Sequence, residues 1–295
     1  MTFHEVLHVL LHALADSALI LPFLFLTYLL MELLEHKAGD GVENAIKKAG
    51  KLGPLAGGAL GLVPQCGFST VAAGFFAGRV VSVGTLLAVF LATSDEMLPV
   101  LLGARVGVGK ILTVLALKLG IAAFVGFLAD LFWHRHEHLH VEGLCEEERC
   151  GCGEKGVWLS TLYHTLHIFL FVLLFNVIIG FALELVGEQA LGAVMRDIPV
   201  LGQLIAALVG LIPNCAASVA IATLYTKGVI SAGAMLAGLL TGAGAGLLVL
   251  FRTNKRWKEN LIIVAILLVT GVLFGSLLDL TGLGGILGLW RSRQL

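Results

Sequence analysis

Apolar residues run along most of this chain in blocks of about twenty, the length one helical crossing of a bilayer core requires. Six blocks qualify as full spans: 9–34, 82–103, 110–133, 159–186, 229–251 and 259–280. Two further blocks, 52–78 and 200–226, carry a proline inside them, Pro64 and Pro213. Short charged strips lie between blocks, at 36–51, 105–110, 188–197 and 252–258. The longest polar stretch, 134–155, divides the chain near its middle. The pattern predicts an all-α polytopic membrane protein. It has an N-terminal membrane repeat (1–133), a His/Cys-rich polar linker (134–156) and a C-terminal membrane repeat (157–295).

The halves are repeats in sequence as well as in hydropathy. Gly61-Leu62-Val63-Pro64-Gln65-Cys66-Gly67-Phe68-Ser69 recurs 149 residues later as Gly210-Leu211-Ile212-Pro213-Asn214-Cys215-Ala216-Ala217-Ser218. Without a gap, Ser82 then matches Ser231, Gly84 matches Gly233, Gly126 matches Gly275 and Asp130 matches Asp279. Upstream the offset is 152, pairing His12 with His164 and Glu32 with Glu184. Two inverted structural repeats are expected, each with a Pro-broken or re-entrant helix carrying a Pro-x-Cys motif, a common plan among secondary transporters.

The two proline blocks are either full spans or hairpins that dip to mid-membrane and return. Cytoplasmic loops carry the excess of Lys and Arg. The hairpin arrangement divides these residues twelve against six, and the full-span arrangement eleven against seven. The hairpin is the preferred reading, with the N-terminus outside and the linker in the cytosol. Met1 to Asp16 has no basic start and no small-residue cleavage site, so the first block is expected to be a retained span.

Composition agrees. Of 295 residues 58% are hydrophobic and 13% charged, against about 25% charged in soluble domains. A net charge of −1 gives no nucleic-acid signal, and 37 glycines suit close helix packing in lipid. The inner (cytoplasmic) membrane is the expected location, with the bilayer, a metal ion and protons as partners. A homodimer is left open.

Candidate chemistry falls into four groups. Proline breaks a helix, and broken backbone in a bilayer is tolerated only when buried in protein or lining a cavity. Cys66 and Cys215 therefore stand at a pathway or at inert kinks, and duplication favours the pathway. Gln65, Asn214, Ser69 and Ser218 would add oxygens beside them. Asp95 and Glu96, deep in an apolar block, are a second group, since intramembrane carboxylates mark ion paths by default. The other half has Gly244 and Ala245 in their place, so the chemistry is asymmetric. Carboxylates suit hard cations and thiolates soft ones. Histidines are the third group. His8, His12 and Asp16 continue from His4 on one helix face, and His164 and His167 open the matching block; all serve as secondary metal candidates or as an interfacial face. The linker is the fourth, with His134, His136, His138, His140, Cys145, Cys150 and Cys152 as a compositional metal-binding signal. Glu32 and Glu184 are proton or charge partners. Lys118 needs a carboxylate partner, Asp95 or Glu96, while Asp130 and Asp279 are expected to cap span ends.

The Gly-Leu-Val-Pro-Gln-Cys-Gly run at 61–67, the Gly-Leu-Ile-Pro-Asn-Cys-Ala run at 210–216 followed by Leu224-Tyr225-Thr226-Lys227-Gly228, and Thr93-Ser94-Asp95-Glu96 resemble a known group. It is the bacterial ten-transmembrane heavy-metal exporter family, whose members are labelled arsenic efflux proteins or manganese transporters. The resemblance covers nearly the whole chain. It implies an exporter whose ten segments count each broken segment as two, with Cys66, Cys215, Asp95 and Glu96 on the pathway. Ala216, where the first motif has Gly67, departs from strict symmetry. No Gly-x-x-x-x-Gly-Lys-Ser/Thr phosphate loop is present, so an ion gradient must drive transport. The expected function is secondary, non-enzymatic export of a divalent heavy-metal cation of the manganese or zinc kind, without a cofactor and coupled to protons. The rivals are transport of an arsenic- or sulfur-containing solute and an intramembrane thiol or redox enzyme.

Overall fold

The structure is a computed structural model. It describes residues 52–63, 66–94, 97–133, 161–163, 165–178 and 200–282, with separate positions between 7 and 29 and at 181. All regular structure among the described residues is helical. In the first half the helices are α1 (Gly53–Gly61), α2 (Cys66–Ala77), α3 (Val83–Ala92), α4 (Met97–Gly103) and α5 (Val108–Phe132). After α6 (Thr161–Ile178), the second half holds α7 (Leu201–Gly210), α8 (Cys215–Thr226), α9 (Ala232–Thr241), α10 (Ala245–Thr253) and α11 (Trp257–Leu280). Helices α2, α3 and α5 begin 149 residues before α8, α9 and α11, so the sequence offset is also a structural one.

Five stretches among the described residues are long and apolar enough to cross a membrane: Val83–Gly103, Val108–Phe132, Thr161–Ile178, Ala232–Thr253 and Trp257–Leu280. The chain is thus a polytopic α-helical membrane protein. Leu112, Phe124, Leu131 and Phe132 on α5, and Leu261, Val269 and Leu273 on α11, stand exposed. In a bilayer these apolar side chains meet lipid instead of water. The stretch 232–250 is buried throughout and forms the centre.

Two of the blocks read as spans are interrupted at mid-length. Helix α3 stops at Ala92 and α4 starts at Met97. Pro99 falls in the first turn of α4, where its missing N–H would have no intrahelical acceptor in any case. In the second half Ala243 N–H bonds Thr241 O at 2.9 Å. Gly244 then takes φ 55° and ψ −146°, a conformation that L side chains disfavour.

Helix α3 packs on α1 and α5, and α9 packs on α7 and α11. Their clamps match between halves. Ser82 caps α3 by accepting from Thr85 N–H at 3.1 Å, and its hydroxyl donates to Asp130 Oδ2 at 2.8 Å. Gly84 N–H donates to Asp130 Oδ1 at 2.8 Å. Ser231 caps α9 in the same way, with Asp279 accepting from Ser231 Oγ at 2.5 Å and from Gly233 N–H at 2.9 Å. Each aspartate thus ends one long helix and fixes the start of its neighbour, as expected for caps. Gln203 adds a third donor to Asp279, Nε2 to Oδ2 at 2.6 Å. Its positional match in the first half is Pro54, which has none.

Helix α1 runs in the same direction as α3. A Cβ on Gly53 would meet Thr85, and one on Gly61 would meet Val89 O and Ala92. Helix α2 then ends five residues before Ser82, so α1 and α2 begin and finish at one end of α3. Its last turn closes with Arg79 N–H to Phe76 O at 3.1 Å and Val80 N–H to Phe75 O at 2.8 Å, with Arg79 at φ 62°. The match of Arg79 is Gly228, at φ 72°, the residue usual at this left-handed position. Between halves, α2 packs on α10 and α8 on α4. Arg79 reaches Glu259 at 3.4 Å.

Candidate functional site

Both Pro-x-Cys motifs end in a half-helix. Cys66 is the first residue of α2 and Cys215 the first of α8, the helix N-terminal position expected for them. Their side chains lie outside the described residues, as do Gln65, Asp95, Glu96, His8, His12, Asp16, His164, Glu32, Glu184 and the linker residues His134, His136, His138, His140, Cys145, Cys150 and Cys152. Among the described residues no group of three or more His, Cys, Asp or Glu side chains stands ready to hold a metal.

The described part of the site is built from amides, hydroxyls and broken-helix carbonyls. Asn214 is buried and caps α8, its Oδ1 accepting from Ala216 N–H at 2.8 Å. The carbonyl oxygen expected to face cargo is therefore also structural, with a second lone pair left over. Asn214 Nδ2 donates to Asn176 O on α6 at 3.4 Å, and Asn176 Nδ2 donates to Ser17 Oγ at 3.0 Å. One polar chain thus ties the start of α8 to α6 and to the N-terminal helical stretch. Sequence reasoning missed Asn176 and Ser17, although a buried asparagine inside an apolar block was visible.

Ser69, 1% exposed, packs against α10 where Gly246 leaves room; a Cβ there would lie 2.7 Å from Ser69 C, Cβ and O. Ser218 lines the same 242–244 break, its Oγ 3.4 Å from where a Cβ on Gly242 would stand. Thr241 Oγ1 donates to Ala207 O at 2.8 Å, holding α7 beside the end of α9. Thr93 and Ser94 turn their hydroxyls back onto α3, to Val89 O and Ala92 O, both at 2.8 Å. Both paired serines thus lie at the interruption of the second half, Ser69 of the first half against Gly246 and Ser218 beside Gly242.

Lys118 is fully buried. Its Nζ donates to Thr93 O, at the end of α3, and to Leu239 O of α9 at 2.9 Å. The expected carboxylate partners lie outside the described residues; the described ones are main-chain carbonyls from both halves. His167 is exposed on α6, stacked on Tyr163 with centroids 6.2 Å apart. Its Nε2 lies 2.7 Å from the Arg252 guanidinium, which as a pure donor leaves that nitrogen the acceptor. Of the secondary metal candidates, it alone is described, and one of its ring nitrogens is engaged.

Buried polar groups gathered at interruptions of membrane helices define a multi-pass membrane protein with a polar centre. The chain belongs to the family described as "Putative, 10TM heavy-metal exporter", which matches residues 5–188 and 170–288. No curated protein and no solved structure matches the chain. The family description is that of an exporter, a transport class and not an enzyme class.

Proposed function

We propose that the protein is a secondary transporter that exports a divalent heavy-metal cation, of the manganese or zinc kind, across the inner membrane in exchange for protons. The observation that carries this reading is the meeting of two helix interruptions, one per half, around buried polar groups. Cys66, Cys215, Asp95 and Glu96 form the cargo path in this proposal, and Gln65, Asn214, Ser69 and Ser218 supply oxygens.

The two halves act as inverted repeats. Arg79, four residues before the start of α3, contacts Glu259 near the start of α11. The start of α9 is held instead by Asp279, twenty residues further along α11, about 30 Å away at 1.5 Å per residue. Helices α3 and α9 therefore start at opposite ends of the bundle. The same Arg79–Glu259 contact favours re-entrant hairpins, because full-span proline blocks would put these residues on opposite membrane faces. Alternating access then follows from one repeat rocking against the other.

Flux into proteoliposomes with Mn²⁺, Zn²⁺, Co²⁺, Ni²⁺, Cd²⁺ and arsenite, with and without a pH gradient, tests the reading. Flux of a divalent metal that a pH gradient accelerates and D95N/E96Q abolishes is the expected result. No metal flux under any gradient overturns it. Arsenite flux that needs Cys66 and Cys215 but not Asp95 and Glu96 favours an arsenic- or sulfur-containing solute instead.

A further inference from the structure

Lys118 stands at a place that the repeat does not duplicate. Its positional match, 149 residues on, is Leu267, and both side chains are fully buried. One half therefore carries a cation where the other carries a hydrocarbon. The ammonium group does not bond arbitrary carbonyls. Thr93 O is released by the end of α3, since Thr93 has ψ 124° and the helix does not continue. Leu239 O is released by the end of α9, because Ala243 N–H, its ordinary donor, bonds Thr241 O instead. Last-turn carbonyls have no intrahelical donors and carry the negative end of the helix dipole. Lys118 thus satisfies one freed carbonyl from each half and joins α3, α5 and α9 at the point where both broken spans are interrupted.

This is the arrangement a cation cargo would otherwise seek, with oxygen ligands at converging negative helix ends. Two like charges close together in a low-dielectric interior repel strongly. We propose that Lys118 is the resident cation of the metal-free transporter, holding the interrupted helix ends together when no metal is bound. Cargo and the ammonium group then exclude one another. This inference rests on the export reading above and deepens it. In the proposed exchange the metal-free transporter crosses back carrying protons, and Lys118 keeps the freed helix-end carbonyls compensated on that return. Lys118 is a positioning residue: it acts on the helix ends and on the return step, and it does not ligate the metal.

The test separates the return step from the loaded step. Net efflux into metal-free medium requires the metal-free, proton-carrying protein to return, whereas metal-for-metal exchange does not. Wild type, K118M, K118Q and K118R are reconstituted and assayed both ways with Mn²⁺, or with Zn²⁺ if its wild-type flux is larger. K118M and K118Q, the latter able to keep hydrogen bonds without charge, are expected to lose net efflux about tenfold or more, one decade per about 1.4 kcal/mol of barrier. Both should keep exchange within about twofold, a change of under 0.5 kcal/mol on the same scale. K118R should keep both activities. Wild-type transport with net efflux intact in K118M and K118Q overturns this inference alone. Equal loss of net efflux and exchange, or failure of both neutral variants to fold, assigns Lys118 to the scaffold and also overturns it. Absence of wild-type flux overturns the export reading, and this inference with it.

Discussion

Substituting Gly84 by alanine tests the account of how each half is held together. The added Cβ would lie 2.1 Å from Gly126 O and 2.5 Å from Asp130 Cγ, about 1.3 Å inside ordinary contact with the carbonyl. Both obstacles are fixed: one is backbone, and the other is a carboxylate bonded to Ser82 Oγ and Gly84 N–H. Helices α3 and α5 must therefore part. Overpacking of this kind costs about 1–3 kcal/mol, and loosening the hydrogen bond to a charged acceptor adds about 1.5–3 kcal/mol. Alanine returns about 1 kcal/mol through helix propensity, leaving a net loss of about 1.5–5 kcal/mol. Gly233→Ala should behave alike, since its Cβ would stand 2.2 Å from Gly275 O. Gly120→Ala is the control: the position is helical, exposed and open, with nothing within 4 Å of a Cβ. It should gain a few tenths of a kcal/mol up to about 1. Thermal unfolding in detergent, followed by fluorescence-detected size exclusion, reads all three. Melting of G84A at or above the G120A temperature would refute the close crossing.

Other substitutions probe the remaining contacts, read by the same melt. Asp130→Asn should cost about 1–2 kcal/mol through lost charge-assisted bonding, and Asp279→Asn more, because Asp279 also accepts from Gln203. Equal melting of the two would refute a role for that third donor. Asn254 and Asn260, both buried, bond each other across the α10–α11 turn at 2.7 and 2.9 Å. Asn254→Ala keeps the bond from Asn260 Nδ2 to the main-chain oxygen but strands Asn260 Oδ1, and should cost about 1–3 kcal/mol; an unchanged melt would count against the pair. Arg79→Gly should be more stable than Arg79→Ala by about 1 kcal/mol, since both lose the Glu259 contact but only glycine suits φ 62°. The reverse order would refute the left-handed turn.

Much of the scaffold was legible because it is local or written twice. The 149-residue offset, the helix starts at Cys66 and Cys215, and the capping roles of Asp130 and Asp279 all rest on short-range rules applied to both halves. The pairings across the bundle were not legible, because nothing in a linear pattern selects them. Lys118 could be read as buried, but its acceptor Leu239 lies 121 residues away on the other repeat. Main-chain carbonyls also leave no mark in a sequence. The Ser17–Asn176 bond spans 159 residues. The interruptions at 93–94 and 242–244 were hidden by apolar flanks, since hydropathy measures whether a segment can enter a bilayer and not whether it stays helical there.

Where a glycine contact lies decides what its loss should do. The Gly84–Gly126 and Gly233–Gly275 crossings fall within one half and serve to keep it rigid. The Gly246–Ser69 contact instead joins α10 of one half to α2 of the other. If the halves rock during transport, this surface must change while the internal crossings do not. A Cβ at 246 would sit 2.7 Å from main-chain atoms of Ser69, and α2, packed and bonded within its own half, cannot yield without moving as a body. Gly246→Ala should therefore favour whichever state separates α2 from α10. A bias of about 1.4 kcal/mol is a tenfold population shift, enough to slow turnover strongly. Stability should fall less than in G84A, because no half loses an internal bond. The comparison is G246A against G84A, by flux and by melting together. A variant that melts like G84A but transports like wild type would show that this contact belongs to a fixed core, and that the two halves do not move against each other there.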